Sequence, residues 1–93
     1  MSIKVEVFAS PGCDKCNQAS EVMNKLAGEF GAGRIDWRKV VVVEELDYAV
    51  ELGVLATPAI AIDGELLFTG LPSTHALSAV FDRRLASIKG AEN

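Results

Sequence analysis

The sequence has only two cysteines, Cys13 and Cys16, three positions apart. A short secreted domain held by disulfides disperses several cysteines along its chain, so this spacing excludes a disulfide scaffold and points to chemistry. Histidine is scarcer still, with His75 alone. A structural zinc site normally takes four Cys or His ligands, more than the chain can supply. Basic residues form no run longer than a pair, and 13 acidic against 9 basic side chains leave a net charge of -4. Such a surface repels phosphate backbones and anionic lipid, so neither nucleic acid nor a membrane surface is expected as a partner. Long apolar runs are also missing. The longest, residues 40–43 and 58–62, fall far short of the roughly 20 residues that cross a bilayer. Near the N-terminus charges alternate with apolar residues where a signal peptide would be continuously apolar, so a soluble, cytoplasmic protein is expected.

What remains is an ordinary globular composition, 49% hydrophobic and 24% charged, over a length that suits one core. A single domain over residues 1–93 is expected. Ile3, Val5, Val7 and Ala9 alternate with Lys4, Glu6 and Phe8 at the period of a strand. Ser10-Pro11-Gly12 breaks that run, and Cys16, Ala19, Met23, Leu26, Ala27 and Phe30 then recur at three- and four-residue steps, as one face of a helix. Gly31 and Gly33 end the helix, and residues 34–43, rich in β-branched side chains, predict a second and deeply buried strand. Glu44-Glu45 opens a short helix with Leu46, Ala49, Val50 and Gly53 on one face. Ala59-Ile60-Ala61-Ile62, Asp63-Gly64 and residues 66–69 read as an antiparallel hairpin with a type I′ turn. Ser73 is an N-cap candidate for a last helix whose inner side carries Leu77, Val80, Phe81, Leu85 and Ile88, with residues 90–93 frayed. The order is βαβαββα: an α/β fold with a four-stranded mixed sheet flanked by three helices. Strands joined by a helix should run parallel, and the hairpin should add antiparallel ones.

The two cysteines stand where the second element begins. At a helix N-terminus free backbone N–H groups and the helix dipole stabilise a thiolate, the nucleophilic form of cysteine, so a depressed pKa is expected for Cys13. Cys13 at the helix tip would meet solvent, and Cys16, about one turn in on the apolar face, would be covered. Cys13 is therefore the expected attacker on a disulfide, and Cys16 the residue that resolves the mixed disulfide. No metal or organic cofactor is needed. Lys15 favours the thiolate and Asp14 opposes it, for a small net effect if both are solvated.

With these residues in view, the chain resembles the thioredoxin-like superfamily, most of all its short glutaredoxin-sized members, across residues 3 to 89. The resemblance rests on a strand followed by Ser10-Pro11-Gly12-Cys13-Asp14-Lys15-Cys16 and a helix. It rests also on Gly53-Val54-Leu55-Ala56-Thr57-Pro58 before a strand, on Asp63-Gly64, and on Gly70 before the last helix. It implies a thioredoxin-like fold and dithiol-disulfide oxidoreductase activity. It further implies a cis bond at Pro58, which would lie beside the cysteines, and strand-like pairing of the Thr57 backbone with substrate. Gly12, Thr57 and Pro58 are the substrate-binding residues it implies. The implied partners are disulfide-containing proteins and an electron donor, either a reductase or a low-molecular-weight thiol, with the protein acting as a monomer. The chain departs from typical thioredoxins in having Gly12 where they place an aromatic residue, Asp14-Lys15 in place of Gly-Pro, and Val7 where they bury an acid. No glutathione site of the glutaredoxin kind matches, which favours protein disulfides as substrates.

Two other classes compete. A strand followed by CxxC at a helix start also occurs in ferredoxin-like copper carriers, where two thiolates hold Cu(I). In those the first helix leads straight to a hairpin, whereas here a strand and a helix intervene. A thioredoxin-like interaction module with idle cysteines is the other. His75 is expected as a solvated residue of the first helical turn, and Trp37 and Tyr48 as packing residues.

Overall fold

The computed structural model describes residues 2–31 and 33–91. Its elements are β1 (Ile3–Ala9), α1 (Asp14–Phe30), β2 (Ile35–Val41), α2 (Leu46–Leu52), β3 (Ala59–Ile62), β4 (Glu65–Thr69) and α3 (Thr74–Ala91). This is the expected βαβαββα order. One sheet runs β2-β1-β3-β4, with β1 parallel to β2 and antiparallel to β3, and β3 antiparallel to β4. β2 and β3, although joined through α2, are not neighbours: β1 lies between them, and β3 enters the sheet from the opposite direction.

Alternation along the strands separates two apolar layers. Ile3, Val5 and Val7 of β1, with Ile60 and Ile62 of β3, pack against Ala19, Met23 and Leu26 of α1 and Leu77 and Phe81 of α3. On the other face Phe8, Val40, Ala59 and Ala61 pack with Ala49 of α2 and Val54. β3 is thus buried on both faces, large residues toward α1 and α3 and alanines toward α2. The turn after β3 is formed by Asp63 (φ 51°) and Gly64 (φ 82°), the positive angles a type I′ turn demands. The Asp63 side chain accepts from the Lys4 N–H at 3.0 Å, and Lys4 C=O accepts from the Asp63 N–H at 2.8 Å.

Three expectations are corrected. β2 is the edge strand of the sheet, and only Ile35 and Val40 of it are buried; residues 42–43 already belong to a turn, with Val43 66% exposed. The apolar stretch 40–43 reflects a strand end and a turn, not a central strand. On α2, Leu46 and Val50 face solvent, and the inner side is Ala49 with the partly buried Tyr48 and Leu52. Finally, α3 extends to Ala91, so residues 90–91 are helical; residues 92–93 and the side chain of Ile88 lie outside what is described. Ser73 caps α3 as expected, its hydroxyl accepting from the Ala76 N–H at 3.1 Å.

Candidate active site

Pro11 cannot continue the β1 ladder, and Gly12 takes φ 73°, a conformation that costs a side-chain-bearing residue, so the chain turns sharply into α1. Nothing lies within 4 Å of the position a Cβ would take on Gly12, so the space over this residue is open. Cys13 is the N-cap of α1: its backbone is extended, and its Sγ accepts from the Cys16 N–H at 3.1 Å. A sulfur at this place faces the positive end of a 17-residue helix and one of its free N–H groups, the setting that favours thiolate over thiol.

Cys13 and Cys16 are joined as a disulfide, with their Cα atoms 5.2 Å apart. Their exposures differ: Cys13 is partly exposed, and Cys16, one turn into the helix on its inner face, is 1% exposed. Asp14 and Lys15 between them are both exposed, so each is solvated and neither dominates the field at the sulfurs.

The other predicted site residues arrive by way of β3. The β1/β3 register pairs Phe8 with Ala59, and continuing it sets Ala9 opposite Pro58 and Ser10 opposite Thr57. Ala9 and Pro58 turn their backbones away from each other, Ala9 toward β2 and Pro58 toward β4, and the β1/β3 pairing ends at Phe8 and Ala59. The Thr57-Pro58 bond is cis, and Pro58 is fully buried. Its carbonyl accepts from the Gly70 N–H at 2.7 Å, which ties the segment to the end of β4. Ser10 Oγ and Thr57 Oγ1 are hydrogen-bonded at 2.8 Å across the gap. Among the described residues no hydrogen bond uses the N–H or C=O of Thr57, which is partly exposed. Leu55, two residues earlier, is 96% exposed. Gly12, Cys13, Thr57 and Pro58 therefore occupy the two loops where β1 ends and β3 begins, at one end of the sheet.

Val7, at the position where typical thioredoxins bury an acid, is fully buried and apolar. No polar or charged residue is buried among the described residues. The nearest acid in sequence, Glu6, points to the opposite face of β1, toward α2. Its carboxylate accepts from the Tyr48 hydroxyl and from Arg38 Nη2, the latter at 2.7 Å, and Arg38 also reaches Glu45 at 3.4 Å. The hydrogen bond to Glu6, helped by burial, raises the Tyr48 hydroxyl above its ordinary pKa, and the same carboxylate holds Arg38 still more firmly protonated. From sequence alone Tyr48 is expected only as a packing residue. It does pack, with its ring 5.9 Å from that of Phe8, but its hydroxyl is a second anchor for α2. This cluster lines a groove of about 450 Å³ at the far ends of β1 and β2, away from the cysteines.

His75 is exposed in the first turn of α3, and among the described residues no group of three His, Cys, Asp or Glu side chains could hold a metal ion. The copper-carrier alternative required the first helix to lead straight into a hairpin; β2 and α2 stand between. No helix among the described residues is long and apolar enough to cross a membrane.

Comparison with known proteins agrees with this geometry. A thioredoxin-domain family model matches residues 1–82. A protein described as a probable thioredoxin from Methanothermobacter thermautotrophicus is 42% identical over 77 residues, 83% of this chain and 89% of that protein. The thioredoxin of Methanocaldococcus jannaschii is 34% identical over 83 residues, 89% of this chain and 96% of that one. Among solved structures, mitochondrial thioredoxin 3 of Saccharomyces cerevisiae in its oxidised form superposes with a TM-score of 0.73. At 24% identity it covers 88% of this chain and 78% of its own, a likeness of fold. The chain belongs to the thioredoxin family and, with its Cys13–Cys16 pair, is a thiol-disulfide oxidoreductase.

Proposed function

We propose that the 93 residues form one domain that reduces protein disulfides, with Cys13 as nucleophile and Cys16 as resolving residue. In the reduced protein the Cys13 thiolate attacks one sulfur of a substrate disulfide. A mixed disulfide forms, and the other substrate sulfur leaves as a thiolate. Cys16 then gives up its proton, to water or to the departing thiolate, and attacks the Cys13 sulfur. The intramolecular disulfide closes and the second substrate sulfur departs. Two electrons pass to the substrate, its two departing thiolates take their protons from Cys16 and from water, and the protein is left in the bonded form.

The observation that carries this reading is the unequal exposure of the two bonded cysteines at one helix N-terminus: Cys13 is partly exposed and Cys16 is 1% exposed. An incoming disulfide can reach the first and not the second. Substrate binding is assigned to Gly12, Thr57 and Pro58. The unpaired N–H and C=O of Thr57 offer a short strand-like register to an extended segment, and the open space over Gly12 leaves room for it. The electron donor is a reductase or a low-molecular-weight thiol, the compartment the reducing cytoplasm, and the working form a monomer. Neither a metal nor an organic cofactor enters the cycle.

The test is insulin-disulfide reduction driven by dithiothreitol, comparing wild type with Cys13→Ser. The wild type should accelerate the reaction and Cys13→Ser should not; equal rates would leave an interaction module with idle cysteines as the better reading.

A further inference from the structure

We infer that Ser10 is a positioning residue: its hydroxyl, bonded to that of Thr57, fixes the distance between the loop that presents Cys13 and the loop that receives the substrate backbone. The inference rests on the proposed function and adds a residue to it.

β1 and β3 pair through Phe8 and Ala59, and the next two opposed positions are Ala9 with Pro58 and Ser10 with Thr57. At the first of these neither backbone faces the other: the Ala9 carbonyl points to β2, where it accepts from the Val42 N–H at 2.9 Å. The Pro58 carbonyl is taken from the other side, by Gly70 at 2.7 Å. Each loop is thus tied outward, to a different neighbour. Among the described residues, the hydrogen bond that joins them to each other is Ser10 Oγ with Thr57 Oγ1, at 2.8 Å. It is partly buried, so water replaces it less readily than it would a surface contact.

Both ends of this bond border reacting or binding groups. Ser10 is three residues before Cys13, with the sharp Gly12 turn between. Thr57 uses its side chain for the bond, which leaves its backbone N–H and C=O free for a substrate segment. A substrate that pairs with Thr57 must at the same moment hold its disulfide at Cys13, and productive geometry tolerates displacements well under about 1 Å. A hydroxyl pair across the gap sets that spacing before the substrate arrives. Without it the two loops are held to each other only by the Phe8–Ala59 pairing two positions back, and their separation at Ser10 and Thr57 can vary. The effect should therefore fall on binding of an extended protein substrate and not on the intrinsic reactivity of the Cys13 sulfur.

The experiment measures steady-state reduction of a protein disulfide for wild type, Ser10→Ala, Thr57→Val, the double variant and Ser10→Thr. Alongside it, the rate of Cys13 alkylation by iodoacetamide is followed against pH. Ser10→Ala should raise KM about tenfold, or about 1.4 kcal/mol, while kcat stays within about twofold. Its alkylation profile should stay on that of the wild type, because the helix N-terminus is untouched. Thr57→Val should cost as much as Ser10→Ala, the double variant no more than either, and Ser10→Thr, which keeps the hydroxyl, should recover most of the loss. An unchanged KM in Ser10→Ala, additive losses in the double variant, or a shift of the alkylation profile would each overturn the inference. A wild-type protein that fails to reduce the substrate would instead defeat the functional reading beneath it, so the two failures are distinguishable.

Discussion

Helix α2 is only seven residues long and buries a single residue, Ala49, yet it leads directly into the segment that ends at Pro58. Its attachment to the sheet is therefore a stability question with consequences for the site. Glu6 accepts from two donors of different standing. Arg38 is 54% exposed, and an exposed ion pair contributes about 0.2–1 kcal/mol after the entropy of holding a long side chain. The Tyr48 hydroxyl is partly buried against a carboxylate whose side chain is only 13% exposed, and a hydrogen bond to a charged group contributes about 1.5–3 kcal/mol. Water can reach part of this site, so the lower end applies. Tyr48→Phe keeps the ring beside Phe8 and removes the hydroxyl alone. In urea unfolding, a double-mutant cycle of Glu6→Ala with Tyr48→Phe should give a coupling of about 1.5 kcal/mol, and one with Arg38→Ala about 0.5 kcal/mol. At about 4–8 °C per kcal/mol for a domain of this size, Tyr48→Phe alone should lower Tm by roughly 6–12 °C. A larger coupling for Arg38 than for Tyr48, or none for either, would refute the claim that the tyrosine hydroxyl is the principal tie.

Other outcomes follow from the same geometry. Cys16→Ser should accumulate a stable one-to-one mixed disulfide with a substrate peptide through Cys13, visible by mass spectrometry under non-reducing conditions, and Cys13→Ser should give none. Gly12→Ala has room for its methyl group but must hold φ 73°, so it should lose about 1 kcal/mol in thermal or urea unfolding. Because the folded state raises the Tyr48 hydroxyl above its ordinary value near 10, the associated stability is complete below that pH. It is lost as pH rises through the folded value. Urea stability should therefore fall more steeply above about pH 10 in wild type than in Tyr48→Phe, and parallel curves would contradict this.

The parts of the fold that read cleanly from sequence are those where local chemistry and pattern agree. Pro11 and Gly12 mark the break, six apolar positions trace one face of α1, and Asp63-Gly64 demands its turn. Depth was harder to read. Four consecutive valines at 40–43 look like a buried strand, but the sheet order puts β2 at the edge, and the run spills into a turn. On α2 the two candidate inner faces, Leu46 with Val50 and Tyr48 with Leu52, fit two turns equally well, and only the sheet beneath chooses between them. The cysteines were legible because helix-start chemistry is local. Ser10 opposite Thr57, and Glu6 beside Arg38, depend on strand registers, which no single segment of sequence contains. The cis bond at Pro58 came from family resemblance and is present in the structure.

The most direct measurement equilibrates the protein in a series of thiol and disulfide buffers, alkylates it, and counts free thiols by mass. The account predicts one cooperative transition between molecules with two free thiols and molecules with none, and its loss in Cys13→Ser and Cys16→Ser. A pair that stays bonded, or stays reduced, across the whole series would contradict it.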